Sequence, residues 1–334
     1  MYNAIYKSLE IISKNNGVEL YKSDVGYITH ALKDKGFTEI VLIKKYTDSK
    51  YTQPILQLTI QLNPTKLLNR DIVELTKEED LQEVEKRFNE VLEQIHLDLN
   101  TFCYWTLNRI DYCINIKTPN VKEYIKLFQR CSLPYRFNIP YDKKAKVRKH
   151  KEGSFYVFNN STIINFYNKE LERFNNTGKI LESAKDILRL EIQCKKGKTD
   201  YIKYKYNFDI KYLGYFTSEE LSLKIIASYF YKIIGKGDYY KLDKARAIIN
   251  SSQHTKATKD KLINVLELIN KHKSIDKARE NSNYSKDSFN RYIKQIRALG
   301  VNPITIPRRW TIDNLKEIDI YKDRFSTEWS EMNI

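Results

Sequence analysis

Leu107-Asn108-Arg109-Ile110-Asp111-Tyr112-Cys113-Ile114-Asn115-Ile116 alternates with a period of two. Arg109, Asp111, Cys113 and Asn115 fall on one face, and Ile110, Tyr112, Ile114 and Ile116 on the other, as in a strand with one side buried. Two later stretches repeat the pattern. Residues 187–194 set Arg189, Glu191 and Gln193 against Leu188, Leu190 and Ile192, and residues 162–169 put Asn165, Tyr167 and Lys169 on one parity. Residues 37–44 and 55–63 also read as strands, the second alternating Leu56, Leu58, Ile60 and Leu62 with Gln57, Thr59, Gln61 and Asn63. Each of the three polar-faced strands offers an apolar face to helices and a face of charged or hydrogen-bonding groups. The expected fold is therefore α+β, a central antiparallel sheet with helices on one face. A parallel sheet, apolar on both faces, does not fit.

Outward from these strands the period changes. Thr76 with Glu79 suggests a capping box, followed by Leu81, Val84, Phe88, Val91, Leu92 and Ile95 at helical spacing. From about residue 236 the pattern is helical. Residues 259–271 carry Leu262, Ile263, Leu266 and Ile269 on one stripe, and Ser274 can cap a short helix to about Arg279. Ser285 can cap a third helix with Phe289, Tyr292, Ile293, Ile296 and Leu299 inside, closed by Gly300. Its outer face offers Lys286, Asn290, Arg291, Lys294 and Arg297. A short helix, a turn and a basic amphipathic helix spell a helix-turn-helix, and residues 304–310 with Arg308 and Arg309 can form a wing. An ordinary helical bundle with a solvated basic face is the competing reading. The expected organisation is a sheet domain over residues 1–235 and a helical DNA-binding domain over 236–334.

Composition narrows the partners. The chain has 334 residues, 58 Lys and Arg against 42 Asp and Glu, and a net charge of +16, which points to a polyanion. An AT-rich genome explains much of the Lys, Asn, Ile and Tyr content, but it does not by itself produce an excess of cations. No apolar run approaches the roughly 18 residues of a membrane span, and no signal-peptide core opens the chain, so a cytoplasmic location without membrane partners is expected. The four cysteines, at 103, 113, 131 and 194, form no CxxC pair. No two histidines lie within four residues of each other, which leaves no HxH or HExxH motif, and no phosphate-binding GxxxxGK[ST] loop is present.

The chemistry must then come from the polar sheet face. If the strands of Asp111 and Glu191 are neighbours, two carboxylates converge there, an oxygen-ligand site suited to Mg²⁺ or Mn²⁺. Such an ion binds non-bridging phosphodiester oxygens and offsets developing charge. Alternatively, Arg109 with Asp111 and Arg189 with Glu191 are structural ladders. Tyr167 shares its face with Lys169, and Glu172 follows as the chain turns helical. A phenol with a pKa near 10 is a poor nucleophile unless a metal or lysine stabilises its phenolate. Tyr156, on the preceding strand, competes for the role among 25 tyrosines.

Read in order, the segments resemble rolling-circle replication initiators of the filamentous-phage replication endonuclease type and the related trans-acting plasmid initiators. The resemblance rests on residues 57–68 (a strand and a Pro-containing turn), 108–115 (R-[IV]-D), 154–160 and 164–172 (paired strands ending in Y-x-K-x-x-E), 187–193 (R-[FL]-E) and 291–301 (the helix near the end of the phage type). It covers roughly residues 50–305; the first 50 match nothing placed. The resemblance implies Tyr167 as nucleophile, Asp111 and Glu191 as ligands of a divalent metal, Glu172 as a further ligand or general base, and Lys169 as an electrostatic partner. The wider HUH nuclease class binds metal through a histidine pair that is absent here, so carboxylates would have to do that work.

The function expected is a metal-dependent DNA nickase and strand transferase that starts rolling-circle replication through a 5′-phosphotyrosine and a 3′-hydroxyl primer. DNA contacts fall to Arg109, Arg189, Lys286, Arg291, Lys294, Arg297, Arg308 and Arg309. The partners are duplex origin DNA, a single-stranded or hairpin nick site, and a host helicase and DNA polymerase, with a homodimer left open. Two alternatives stand beside it: a relaxase for conjugative transfer using the same chemistry, and a DNA-binding regulator without catalysis.

Overall fold

Four alternate residues of one strand, Ile110, Tyr112, Ile114 and Ile116, can leave water together only against a second layer. A computed structural model, which describes residues 1–45, 55–71 and 73–333, supplies that layer from helices. The strands, in chain order, are β1 (Tyr21–Lys22), β2 (Tyr27–Thr29), β3 (Phe37–Lys45), β4 (Ile55–Leu62), β5 (Arg109–Lys117), β6 (Tyr141–Asp142), β7 (Val147–Arg148), β8 (Ser154–Phe158), β9 (Thr162–Asn168), β10 (Ile187–Cys194), β11 (Tyr239–Tyr240), β12 (Asn314–Leu315) and β13 (Arg324–Asn333). Nine of them form one sheet in the order β1-β2-β3-β4-β13-β5-β10-β9-β8, with every pairing antiparallel. The α+β class expected from the alternating strands is what the chain adopts.

Helices Val121–Phe128 and Glu219–Ile233 lie on the apolar face, the second capped by Ser218, whose side chain accepts from the Leu221 N–H. Phe128, Phe166 and Phe230 meet there with ring centroids 5.9–6.0 Å apart, and Phe155 stacks on Phe166 at 5.6 Å. All four rings are fully buried. Each contributes about 1.5–3 kcal/mol by leaving water. Tyr112 sits among the same apolar side chains and satisfies its hydroxyl by donating to the Phe216 carbonyl at 2.9 Å.

Sequence reading and structure part company in several places. The first 50 residues, which the family resemblance leaves unmatched, hold a helix, Tyr2–Asn15, and two short strands, β1 and β2, beside the expected strand β3. The helix expected near Thr76 begins later, as a short turn Glu78–Asp80 leading into Leu81–Glu93. There it is Asp80, held by Arg70, that accepts from the Lys77 N–H at 2.7 Å, while Thr76 is buried against Thr65. Lys169 does not end β9 but opens the helix Lys169–Thr177, whose N-cap is Asn168. Most important for the sheet, β13 lies between β4 and β5, so residues after 236 supply one of its inner strands.

The helical region contains Lys256–His272, Ile275–Glu280 and Lys286–Ala298, with Ser274 and Ser285 capping the last two as their positions suggest. It is tied to the sheet layer. The Ile275 N–H donates to the Arg130 carbonyl at 3.0 Å, and Asp276 accepts from the Leu133 N–H at 2.9 Å. β11 pairs with β12, and single bridges join Asp238 to Val301 and Lys241 to Ile306. Residues 307–313 therefore leave and rejoin this small sheet as a loop. Gly237 makes the close approach feasible: its φ is +102°, and a Cβ there would lie 2.5 Å from the Val301 carbonyl carbon.

Candidate functional site

The register of β5, β10 and β9 decides which polar side chains meet. Arg189 lies opposite Asn115 on one side and Tyr167 on the other; Glu191 lies opposite Cys113 and Asn165; Gln193 lies opposite Asp111 and Ile163. Asp111 and Glu191 are thus diagonal neighbours on adjoining strands rather than a facing pair. The face they share is not an open platform. Asp111, Cys113, Asn115 and Arg189 are all buried, roofed in part by the segment around Val73.

Three groups of contacts organise this face. Asp111 takes a bidentate pair from Arg109 on its own strand, with Nε to Oδ1 at 2.9 Å, and also accepts from Gln193 Nε2 at 3.1 Å. Burial raises its pKa to about 6 against the opposing pull of Arg109, with the neighbouring Glu191 charge adding to the rise. Arg189 donates from Nε to Asn115 Oδ1 at 2.8 Å and from Nη2 to the Val73 carbonyl at 3.0 Å, where Asn115 Nδ2 also donates. Tyr167 donates its hydroxyl to Glu191 Oε2 at 3.1 Å.

The last contact changes the reading of the tyrosine. Burial first, and the Glu191 charge second, hold the Tyr167 phenol well above its ordinary value of 10. A phenolate eased into being by Lys169 is therefore not what the sheet provides. Lys169 is buried, its Nζ lies over the Tyr167 ring at 5.7 Å from the centroid, and it is ion-paired to Glu172 at 2.9 Å. Burial lowers its pKa, and the nearby Arg189 charge acts the same way. The sheet supplies instead a protonated phenol hydrogen-bonded to a carboxylate acceptor. Tyr156, the competitor, lies on β8 opposite Asn165, and its pKa is likewise raised, by burial and then by Glu191.

Tyr167, Tyr156, Asn165, Glu172 and Lys151 line one open cleft of about 230 Å³ between β8–β9 and the helix Lys169–Thr177. Asn165 Oδ1 is fully shielded there and has no hydrogen-bond partner among the described residues. Sequence reading set Asn165 on the right face but gave it no role; its position two residues before Tyr167 was the available signal.

The donor set suits a hard divalent cation only in part. Glu191 and the orphaned Asn165 Oδ1 are oxygens of the right kind on facing positions, but both oxygens of Asp111 are already held by Arg109 and Gln193. Among the described residues no group of three or more His, Cys, Asp or Glu side chains is placed to hold a metal ion.

The basic residues divide into two kinds. Lys286, Arg291 and Lys294 are exposed along one side of Lys286–Ala298, and Arg308 and Arg309 are exposed on the loop 307–313. Arg189 is buried and Arg297 half-buried. The Arg297 guanidinium rests on Gly235 and donates to the Ile234 carbonyl at 3.0 Å, and burial lowers its pKa. Arg109 is spent on Asp111. Two further basic residues lie beside the 307–313 loop. Arg130 is desolvated and feels the like charge of Arg309, and Lys126, one helical turn earlier, lies over the Trp310 ring at 5.9 Å from its centroid.

Among the described residues no helix is long and apolar enough to cross a membrane. Comparison with protein-family models, with curated proteins and with solved structures finds no match to this chain.

Proposed function

We propose that the protein is a DNA nickase and strand transferase that initiates rolling-circle replication. The observation that carries this reading is the hydrogen bond from Tyr167, which lines a cleft, to Glu191, in a chain of net charge +16. A phenol held protonated needs a base at the moment of attack, and Glu191 Oε2 is in place to be that base. In the proposed step the Tyr167 oxygen bonds to the scissile phosphorus as its proton passes to Glu191. The bond from phosphorus to the 3′ oxygen breaks, and Glu191 returns the proton to that oxygen through solvent. The products are a 5′-phosphotyrosine and a free 3′-hydroxyl. One phosphodiester replaces another, so the later rejoining step runs in reverse without ATP. A divalent cation, Mg²⁺ or Mn²⁺, belongs to this reading as the group that would stabilise charge on the phosphate. Glu191 and Asn165 would hold it, with Asp111 joining only by giving up Arg109.

In the same reading, Lys286, Arg291 and Lys294 on the last long helix and Arg308 and Arg309 on the 307–313 loop contact duplex DNA at the origin, as a helix and wing would. The 3′-hydroxyl would be extended by a host polymerase behind a host helicase. A conjugative relaxase would use the same chemistry with other partners. A purely regulatory DNA-binding protein is the second reading favoured by an observation, the locked Arg109–Asp111 pair, which is what a structural ladder looks like.

The test is to incubate the protein with supercoiled DNA carrying the flanking sequence of its own gene, with Mn²⁺ or with EDTA, and probe denaturing gels for a protein–DNA adduct. The expected result is a Mn²⁺-dependent adduct lost in Tyr167→Phe. An adduct that survives in Tyr167→Phe and vanishes in Tyr156→Phe moves the chemistry to Tyr156. Tight binding with no cleavage of supercoiled or single-stranded DNA removes the catalytic reading in favour of the regulator.

A further inference from the structure

Residues 141–151, Tyr-Asp-Lys-Lys-Ala-Lys-Val-Arg-Lys-His-Lys, hold six cations and a single carboxylate. They form a two-stranded ribbon, β6 with β7, in which Tyr141 pairs with Arg148 and Asp142 with Val147. The ribbon stands clear of the core: Tyr141 is 56 % and Val147 49 % exposed, and residues 143–149 are all exposed.

Its tip is nevertheless ordered by specific bonds. Asp142 Oδ1 accepts from the Lys144 N–H at 2.9 Å and the Ala145 N–H at 3.0 Å, Lys146 takes the left-handed conformation at φ +52°, and Lys149 closes the turn on Asp142 at 2.6 Å. This single carboxylate is consumed by the turn. Lys143, Lys144 and Lys146 have no ionic partner among the described residues. The stem is anchored too. Asn138 and Phe158 exchange backbone hydrogen bonds at 2.8 and 3.0 Å, which ties the segment leading into the ribbon to the end of β8. On the outgoing side, Lys149 N–H donates to the Pro140 carbonyl at 3.0 Å, and His150 stacks on Phe155 at 5.0 Å. Lys151 then lies over the Tyr156 ring at 5.5 Å and lines the cleft. The ribbon therefore rises from the rim of the candidate site.

We propose that this ribbon enters the major groove of duplex DNA beside the cleft and grips its phosphates through Lys143, Lys144 and Lys146. The inference rests on the DNA-cleaving reading above for its ligand. Charge complementarity selects a polyanion. The shape selects a duplex, because the major groove is about 12 Å wide and admits a two-stranded ribbon. A pre-ordered tip loses little backbone freedom on binding, unlike a lysine-rich tail. The consequence is positional: the duplex flank is held at the rim while the strand to be cut reaches Tyr167.

The test is the salt dependence of binding by the full chain. Fluorescence anisotropy would use a labelled 30-base-pair duplex carrying the flanking sequence and a labelled single strand of the same length. The variant is the triple Lys143→Gln, Lys144→Gln, Lys146→Gln, which touches no core residue. For the duplex, the slope of log K against log salt should become shallower by about 3, since each phosphate contact contributes roughly 0.9. The affinity lost between 50 and 200 mM salt should accordingly shrink by about 40-fold. The single-strand slope should stay as it is. An unchanged duplex slope overturns the proposal, as does an equal change on single strand, which would make the ribbon a single-strand contact. Failure of the native chain to bind either DNA defeats the proposal together with the nickase reading, whereas binding without cleavage defeats only the latter.

Discussion

Replacing Arg189 by Met tests the wiring of the polar sheet face without reference to any activity. Arg189 is 3 % exposed, and its guanidinium satisfies Asn115 Oδ1 and the Val73 carbonyl. In Arg189→Met the Val73 carbonyl keeps the Asn115 Nδ2 donor, and Tyr167 keeps Glu191 as acceptor, but Asn115 Oδ1 is orphaned in a buried site. One orphaned buried polar group costs about 2 kcal/mol. In Asn115→Leu the Val73 carbonyl keeps Arg189 Nη2, but the Arg189 Nε–H is orphaned, again at about 2 kcal/mol. The double variant removes both partners and leaves the Val73 carbonyl without either donor; what Arg189 gives Tyr167 is lost equally in Arg189→Met and in the double, so the pair costs about 2 kcal/mol rather than about 4. Equilibrium urea unfolding followed by circular dichroism measures all four proteins. A double variant destabilised by the sum of the singles would mean that Arg189 and Asn115 are not coupled through this network, and the account of the roofed face would fail.

Three further outcomes follow from the same geometry. Asp111 has its folded-state pKa raised from 3.8 to about 6, so the folded chain holds a proton that the unfolded chain releases. The stability from this group is complete below about pH 4 and is lost as pH rises towards 6, a loss of roughly 3 kcal/mol; Asp111→Asn should flatten that part of the pH–stability curve, and an unchanged curve would refute the assignment. Arg297→Ala should lower stability by about 2–3 kcal/mol and leave the salt slope of DNA binding unchanged, whereas Arg291→Ala with Lys294→Ala should do the reverse, reducing the slope by about 2; denaturant titration beside anisotropy separates them. Gly237→Ala forces a side chain at φ +102° against the Val301 backbone and should cost about 2 kcal/mol or more, read as a fall in the unfolding midpoint.

Where the fold depended on local alternation, the residues themselves were sufficient. Ile110, Tyr112, Ile114 and Ile116 repeat on a period of two whatever follows elsewhere, and the Ser274 and Ser285 caps are decided within four residues. What depended on distant partners was hidden. The roof over Asn115 and Arg189 is a backbone carbonyl, at Val73, and carries no side-chain signal. Arg297 looked like an outer-face cation because it is charged; four positions after Ile293, it follows the apolar stripe inward, and that spacing was the missed cue. The chemistry of Tyr167 was half visible. Its shared face with Glu191 could be read from parity, but only the pairing of β9 with β10 shows that the carboxylate accepts the phenol proton. The place of β13 was invisible, since strand pairing across more than 200 residues leaves no local period.

That strand has a consequence for how the molecule is assembled. β1 to β4 form one antiparallel patch, and β5, β10, β9 and β8 another; β13 pairs along β5 from Ile116 to Arg109 and reaches β4 only at Leu62 and Gln61. β13 acts as a keystone: it is made after both patches, and among the described strands it is the one that neighbours both. While residues 324–333 are still being synthesised, the nine-residue edge of β5 and the end of β4 at Gln61 and Leu62 have no strand partner there. A ribosome-bound or truncated chain lacking this segment should therefore be recognised by its tendency to aggregate through those edges, even with every residue of the cleft already present.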